Sequence, residues 1–396
     1  MKAVCGIFAA IIPLLVSSCA TRPPEHPVVL TGNIMVDGPT AIEHGPPRDK
    51  VLWEYRTAAA AMRQGKFDLA KRYLDDALTT LQGVYGPDPG AKKARGYFHS
   101  EAKKTFIGEP YERSMAYIYR GILYWMDGER DNARACFRSA EIEDGDAENH
   151  EYAGDWVLPD YLDGLATAKL GGDGTDALKR AQLNCKAGGL QAYDCKANVI
   201  AFLEFGPGPT KYATGEYRQE LRFHVDPSPV RSAQLRVNGN EYRVSIDDDV
   251  WYQATTRGGR VMDHILGNKA IFKNATDIAG NVALIGGGAA ILSGNGHDAT
   301  ANEVGAGLLA AGVISKIFSA ATTPEADVRS WDNLPRYLGL ATFTLPVGRH
   351  VITCEFRDNR GQVVPALTKT ITVEVPQDAK DKVIFISDQA LTPQTI

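Results

Sequence analysis

The chain is short of cysteine, histidine, long apolar runs and any excess of one charge, and each shortage removes a class of protein. Six cysteines in 396 residues fall far below the density of disulfide-stapled secreted scaffolds. A chain of this length holds two or three domains and more than one core. The eight histidines stand singly, with no pair at metal-ligand spacing, so neither a metal nor a cofactor is expected. Lys and Arg total 43 against 48 Asp and Glu, a net charge of −5, which offers no basic surface to nucleic acid. Also missing are a Gly-x-Ser-x-Gly elbow, a His-Glu-x-x-His helix and a phosphate-binding loop with its lysine. The sequence therefore names no reaction, and the expectation is a protein that is not an enzyme.

The longest apolar run, residues 3–16, has fourteen residues, fewer than the about 20 a membrane-spanning helix needs. Behind the positive Lys2 it reads as a secretory signal covering 1–18. It ends in Leu15-Val16-Ser17-Ser18-Cys19, which resembles a bacterial lipobox. That resemblance implies acylation of Cys19 and attachment to a membrane through a lipid anchor. Position 20 is Ala, not Asp, and in a two-membrane cell the same resemblance implies the outer membrane, with the protein facing the periplasm. Residues 19–50 are rich in proline and read as an extended tether with a reach of up to roughly 90 Å.

From residue 51 the hydrophobic period becomes helical, and 51–197 reads as a domain of helical hairpins. The stretch from Tyr117 to Ala140 resembles a tetratricopeptide repeat: Gly121, Ala133 and Ala140 fall at its small positions, Tyr124 and Phe137 at its large ones, and Gly128 at its turn. An earlier copy runs through Tyr55, Gly65, Phe67, Ala70 and Ala77, and a degenerate third through Tyr161, Gly164, Gly171, Ala177 and Ala181. The glycine spacings, 63 and then 43 residues, predict three hairpins rather than a long solenoid. Aromatics crowd this region. They are either packing residues or, at Tyr111, Tyr119, Trp125 and Trp156, the lining of a groove for a protein partner. Cys185 and Cys195 lie ten residues apart, and in an exported chain they are expected to pair as a disulfide. The acidic run 141–149 lacks the glycine and distal glutamate of a calcium loop and reads as a solvated helix end.

After residue 198 the period shortens to two. Asn238-Gly239 between alternating segments marks a β-hairpin, and further short strands recur to the end of the chain. The fold class is α+β: tetratricopeptide-like hairpins, then an antiparallel β sandwich or barrel over 198–396, with a helical insertion over 255–325. Nine of the 39 glycines lie between 280 and 312, in nearly uncharged segments suited to close helix packing. This Gly/Ala-rich hairpin, 279–315, packs internally, binds a partner or touches membrane.

Three passages together resemble a family of uncharacterised bacterial lipoproteins with tetratricopeptide-like helices and a C-terminal β region. They are Phe106-Ile-Gly-Glu-Pro-Tyr-Glu-Arg113, Glu204-Phe-Gly-Pro-Gly-Pro-Thr-Lys211, and Ala326-Asp-Val-Arg-Ser-Trp-Asp-Asn-Leu-Pro335 before Leu345-Pro-Val-Gly-Arg-His350. The resemblance brings no catalytic residue. The expected function is a non-catalytic, lipid-anchored envelope scaffold or adaptor that binds an envelope protein. The alternatives are an accessory or activating factor for cell-wall synthesis or export, and an enzyme on wall glycans. The last would be revived by a cleft of buried carboxylates, since such pairs leave little local signature.

Overall fold

Asn33 starts the first helix by accepting the Met35 N–H at 3.1 Å, and α1 runs Ile34–His44. The computed structural model describes residues 28–85, 105–145, 154–185, 190, 192–244, 246–256, 325–378 and 381–390. Residues 1–18, read above as a leader, Cys19 and the Gly/Ala-rich segment 279–315 lie outside the described residues. The stretch 19–50 is not a tether throughout. The buried Asp37 carboxylate accepts hydrogen bonds from the N–H groups of Thr31 and Gly32, both at 2.8 Å, and folds the preceding chain against the first turn. A Cβ added to Gly38 would fall 1.9 Å from Thr57 Oγ1, so α1 lies directly on the next helix. Proline density suggested extension, but the cap and the buried carboxylate dominate.

Three helical hairpins follow: α2 (Lys50–Arg63) with α3 (Phe67–Tyr85), α4 (Pro110–Met126) with α5 (Arg130–Asp144), and α6 (Leu158–Lys169) with α7 (Thr175–Asn184). Each first helix ends in the same way. Gly65, Gly128 and Gly171 take φ of +68°, +82° and +83°. The next residue's N–H reaches back to Ala61, Tyr124 or Thr167 at 2.9 Å, the Schellman closure that a left-handed glycine permits. Within the second hairpin the helices nearly touch, since a Cβ on Gly121 would lie 2.6 Å from the Phe137 ring.

Among the described residues the β part has two four-stranded sheets. The first has the order β10-β1-β7-β6, formed by β1 (Val199–Pro207), β6 (Asp248–Asp249), β7 (Pro335–Phe343) and β10 (Lys382–Ser387). The second, β5-β4-β8-β9, comprises β4 (Ser232–Val237), β5 (Asn240–Val244), β8 (Gly348–Arg357) and β9 (Lys369–Val375). The hairpin of β2 (Thr210–Thr214) and β3 (Glu220–His224) stands apart from both, and α8 (Val250–Thr255) follows β6. The second sheet is antiparallel as expected, but the first is mixed, with β1 parallel to β10 in the register Ala201 to Ile384. A parallel pair needs a long crossover. Here nearly the whole β region lies between its two strands, which local turn signals do not report.

Alternate residues of β1 face opposite layers. Val199, Ala201, Leu203 and Phe205 join Leu235, Cys354, Phe356 and Ile371 in the core between the sheets. Ile200 and Phe202 join Tyr55, Tyr119, Trp331 and Phe385 in the core shared with the helices. The result is three layers: helices, mixed sheet, antiparallel sheet. The inner helices α2, α4 and α6 pack on the mixed sheet, so the face a partner groove needed is filled by the chain's own strands.

Candidate functional site

The three passages set apart by sequence converge on one buried node. Glu112 is fully buried at the third position of α4. Its carboxylate accepts from the Glu109 N–H at 2.6 Å, from Lys211 Nζ at 2.5 Å and from the Trp331 N–H at 2.7 Å. Lys211 also donates to the Arg329 carbonyl at 3.0 Å. Arg329 holds Asp327 and Asp49 at 2.6 and 2.7 Å, and Trp331 stacks on Tyr55 at 4.5 Å. A lysine and a glutamate buried together require such mutual satisfaction. The node ties α4, β2 and the segment leading into β7, and so acts as a clamp between layers.

The sequence-predicted partner residues are interior. Tyr111, Tyr119, Trp125 and Trp156 are each at most 1% exposed, so none lines an exposed groove. Tyr111 meets Phe223 edge-on at 5.8 Å. Tyr119 donates its hydroxyl to Glu204, which also takes Arg63 Nε at 2.5 Å. Trp125 Nε1 bonds Asp381 at 2.9 Å, a carboxylate shared with Arg130 and Lys169 at 3.0 and 2.9 Å. Trp156 Nε1 bonds Asp144 at 3.0 Å. A large aromatic with a polar edge can be buried once that edge has a partner, and for Tyr119 and Trp125 the partner comes from a distant segment.

The expected disulfide is also corrected, since Cys185 and Cys195 are both free thiols. Cys185 closes the end of α7 through its N–H to the Ala181 carbonyl, while the Cys195 carbonyl is held by Lys169 on α6. Cys19 lies outside the described residues.

A cleft of about 440 Å³ opens at the end of the helical layer, lined by Arg138, Glu141, Ile142, Gly154, Asp160, Asp163 and Arg180. Arg180 donates to Asp160 through Nε and Nη2 at 2.9 and 2.7 Å. Arg138 and Arg134 reach Asp163 at 3.0 and 3.2 Å. Both aspartates are buried, while Arg138 and Arg180 are 54% exposed. Burial raises the Asp160 carboxyl above its ordinary value against the pull of Arg180. Burial, reinforced by Asp160, pushes Glu141 well above the carboxylate range, and its Oε1 has no hydrogen-bond partner among the described residues. The cleft thus combines half-exposed guanidinium groups with a glutamate whose carboxyl is pushed upward by burial, a lining suited to holding polar or anionic groups.

The acidic run is not simply a solvated helix end. Glu143 pairs with Arg113 at 2.5 Å, and the buried Asp144 caps Gly154 as well as Trp156. Arg134, Arg138 and Glu141 recur at helical spacing on α5, and Asp160 and Asp163 do so on α6. That periodicity was the available signal for the cleft, and only the pairing of α5 with α6 turns it into one surface. Among the described residues no group of three His, Cys, Asp or Glu side chains could hold a metal ion, and no helix is long and apolar enough to cross a membrane. Compared with family models, curated proteins and solved structures, the chain matches none.

Proposed function

We propose that this chain is a non-catalytic, lipid-anchored adaptor of the bacterial envelope that binds a protein partner at the open end of its helical layer. The lipobox at Cys19 motivates the anchor. Three hairpins with one shared glycine closure support the tetratricopeptide-like reading of the helices, and the two packed sheets support the sandwich reading of the β part. The convergence of the three passages supports the resemblance to the lipoprotein family.

The observation that carries the partner site is the end of the array. There Ile142, which lines the Arg138–Arg180 cleft, is 74% exposed, and Leu183, three residues after Arg180 on α7, is 85% exposed. Leu183 precedes Asn184, which bonds the Gly154 carbonyl at 2.8 Å. Exposed apolar side chains beside half-satisfied arginines match the composition of a transient interface.

The test is capture from detergent-solubilised membranes by the immobilised full chain and by Leu183→Asp and Arg138→Glu/Arg180→Glu variants. The expected result is an envelope protein retained by the wild type and lost from both variants; equal retention overturns the site. Changing Cys19 to Ala is expected to move the chain to the aqueous phase on detergent partition, and persistence in the detergent phase overturns the anchor.

The buried carboxylates favour one second reading, a glycan hydrolase using Glu141 as acid and Asp160 as its partner. Asp160 spends an oxygen on Arg180, which favours binding over chemistry. Turnover of a wall glycan by the wild type, abolished in Glu141→Gln, would reverse that order.

A further inference from the structure

We infer that the start of the fold, residues 28–42, lies on the lipid surface beside the acyl anchor and fixes how the body sits on the bilayer. The inference rests on the reading of Cys19 as the acylated residue. Three of the exposed large apolar side chains fall within eight residues here: Val29 is 87% exposed, Leu30 51% and Val36 51%. Across the fifteen residues 28–42 the one charged residue is Asp37, and it is buried under the Thr31 and Gly32 hydrogen bonds. The chain as a whole is 23% charged, whereas none of the eight exposed residues in this stretch carries a charge. Pro39, one helical turn after Val36, is also exposed, which extends the apolar side of α1.

Chain length selects the occupant. Only residues 20–27, Ala-Thr-Arg-Pro-Pro-Glu-His-Pro, separate Cys19 from the described fold. They span at most about 30 Å when fully extended, against roughly 50 Å for the width of a folded body of this size. The N-terminal end of the anchored body is therefore the end held nearest the membrane, within about 30 Å of its surface, while the far side lies beyond that reach. The linker carries no large apolar side chain able to cover Val29, Leu30 and Val36. Apolar side chains at the interface add to the acyl anchor, and the absence of exposed charge within 28–42 lowers the desolvation cost of contact.

The experiment places the photoreactive p-benzoyl-phenylalanine at Val29, Val36 or Val351 of the full-length lipidated chain. Val351, on the second sheet, is 52% exposed and serves as the control. Each protein is reconstituted in vesicles of phosphatidylethanolamine and radiolabelled phosphatidylglycerol and irradiated. The expected result is lipid adduct from positions 29 and 36 and none from 351. Protein dimers from 29 and 36 without lipid adduct overturn the proposal in favour of a second copy, and adduct at no position overturns it outright. The mass of the N-terminal peptide separates the two levels: an acylated peptide without lipid adduct removes the docking face alone, while an unacylated peptide removes the anchor and the proposal with it.

Discussion

Glu204 carries one formal charge into the contact between helices and sheet at 1% exposure, and only Arg63 and Tyr119 make that tolerable. Removing one partner of a buried ion pair strands the other charge, whereas replacing both with apolar groups removes the penalty. Arg63→Met is expected to cost about 3–5 kcal/mol in urea unfolding, with most of that loss recovered in Arg63→Met/Glu204→Leu. Equal losses in the single and double variants would show that the pair does not couple. Asp247 makes the opposite case. It accepts the Leu340 N–H at 2.8 Å, and burial, with help from Asp248, raises its carboxyl to about 8. The unfolded chain gives up that proton near pH 4 while the folded chain keeps it to about 8, so stability present at low pH is lost as pH rises through this window. The slope is up to about 1.4 kcal/mol per pH unit for one group. Asp247→Asn keeps the acceptor and is expected to flatten the fall in melting temperature between pH 4 and 8, leaving the contribution of Asp248, which burial raises to about 7. An unchanged slope would place the titration elsewhere.

At the scale of elements, the hairpins were legible and their surroundings were not. Gly65, Gly128 and Gly171 could be read as turns because only glycine enters a left-handed closure without strain. Gly121 could be read as a contact point because small residues mark close helices. No comparable local signal announced α1, whose cap is a single Asn in proline-rich sequence, or the parallel pairing of β1 with β10. Nor could sequence show that the aromatics at 119 and 125 point into the molecule, because Glu204 and Asp381, which satisfy them, lie 85 and 256 residues away. The node at Glu112 was legible only as three separate passages. Two substitutions test the repeat itself. Gly65→Ala and Gly171→Ala meet no atom within 4 Å, so each is expected to lose only the backbone term, about 1–2 kcal/mol, and to lose it equally. Gly121→Ala meets Phe137 instead and is expected to cost about 1–3 kcal/mol by overpacking, relieved by Phe137→Leu. A loss in Gly121→Ala that Phe137→Leu leaves untouched would place the contact elsewhere.

At the scale of the molecule, the boundary between 197 and 198 divides patterns in the sequence but not folding units. The mixed sheet is covered on both faces, and β1 is buried along nearly its whole length. The helical layer likewise has no apolar core of its own that excludes the strands: Tyr55, Tyr119 and Ile122 share one cluster with Ile200, Phe202, Trp331, Leu338 and Phe385. Cutting there would leave these helical aromatics facing water, and at about 25 cal/mol per Å² of apolar surface that loss rivals the entire stability of a domain. Three buried ion networks cross the same boundary, Arg63 with Glu204, Glu112 with Lys211 and Lys169 with Asp381, and each would lose a counter-ion. The fragment 28–197 is therefore expected to keep helical circular dichroism, bind a hydrophobic dye and unfold without a cooperative transition, while the full chain melts as one unit. Two separate transitions in the full chain, with the first reproduced by a cooperatively folded 28–197 fragment, would show that the layers are independent and that the buried ions are held by each layer alone.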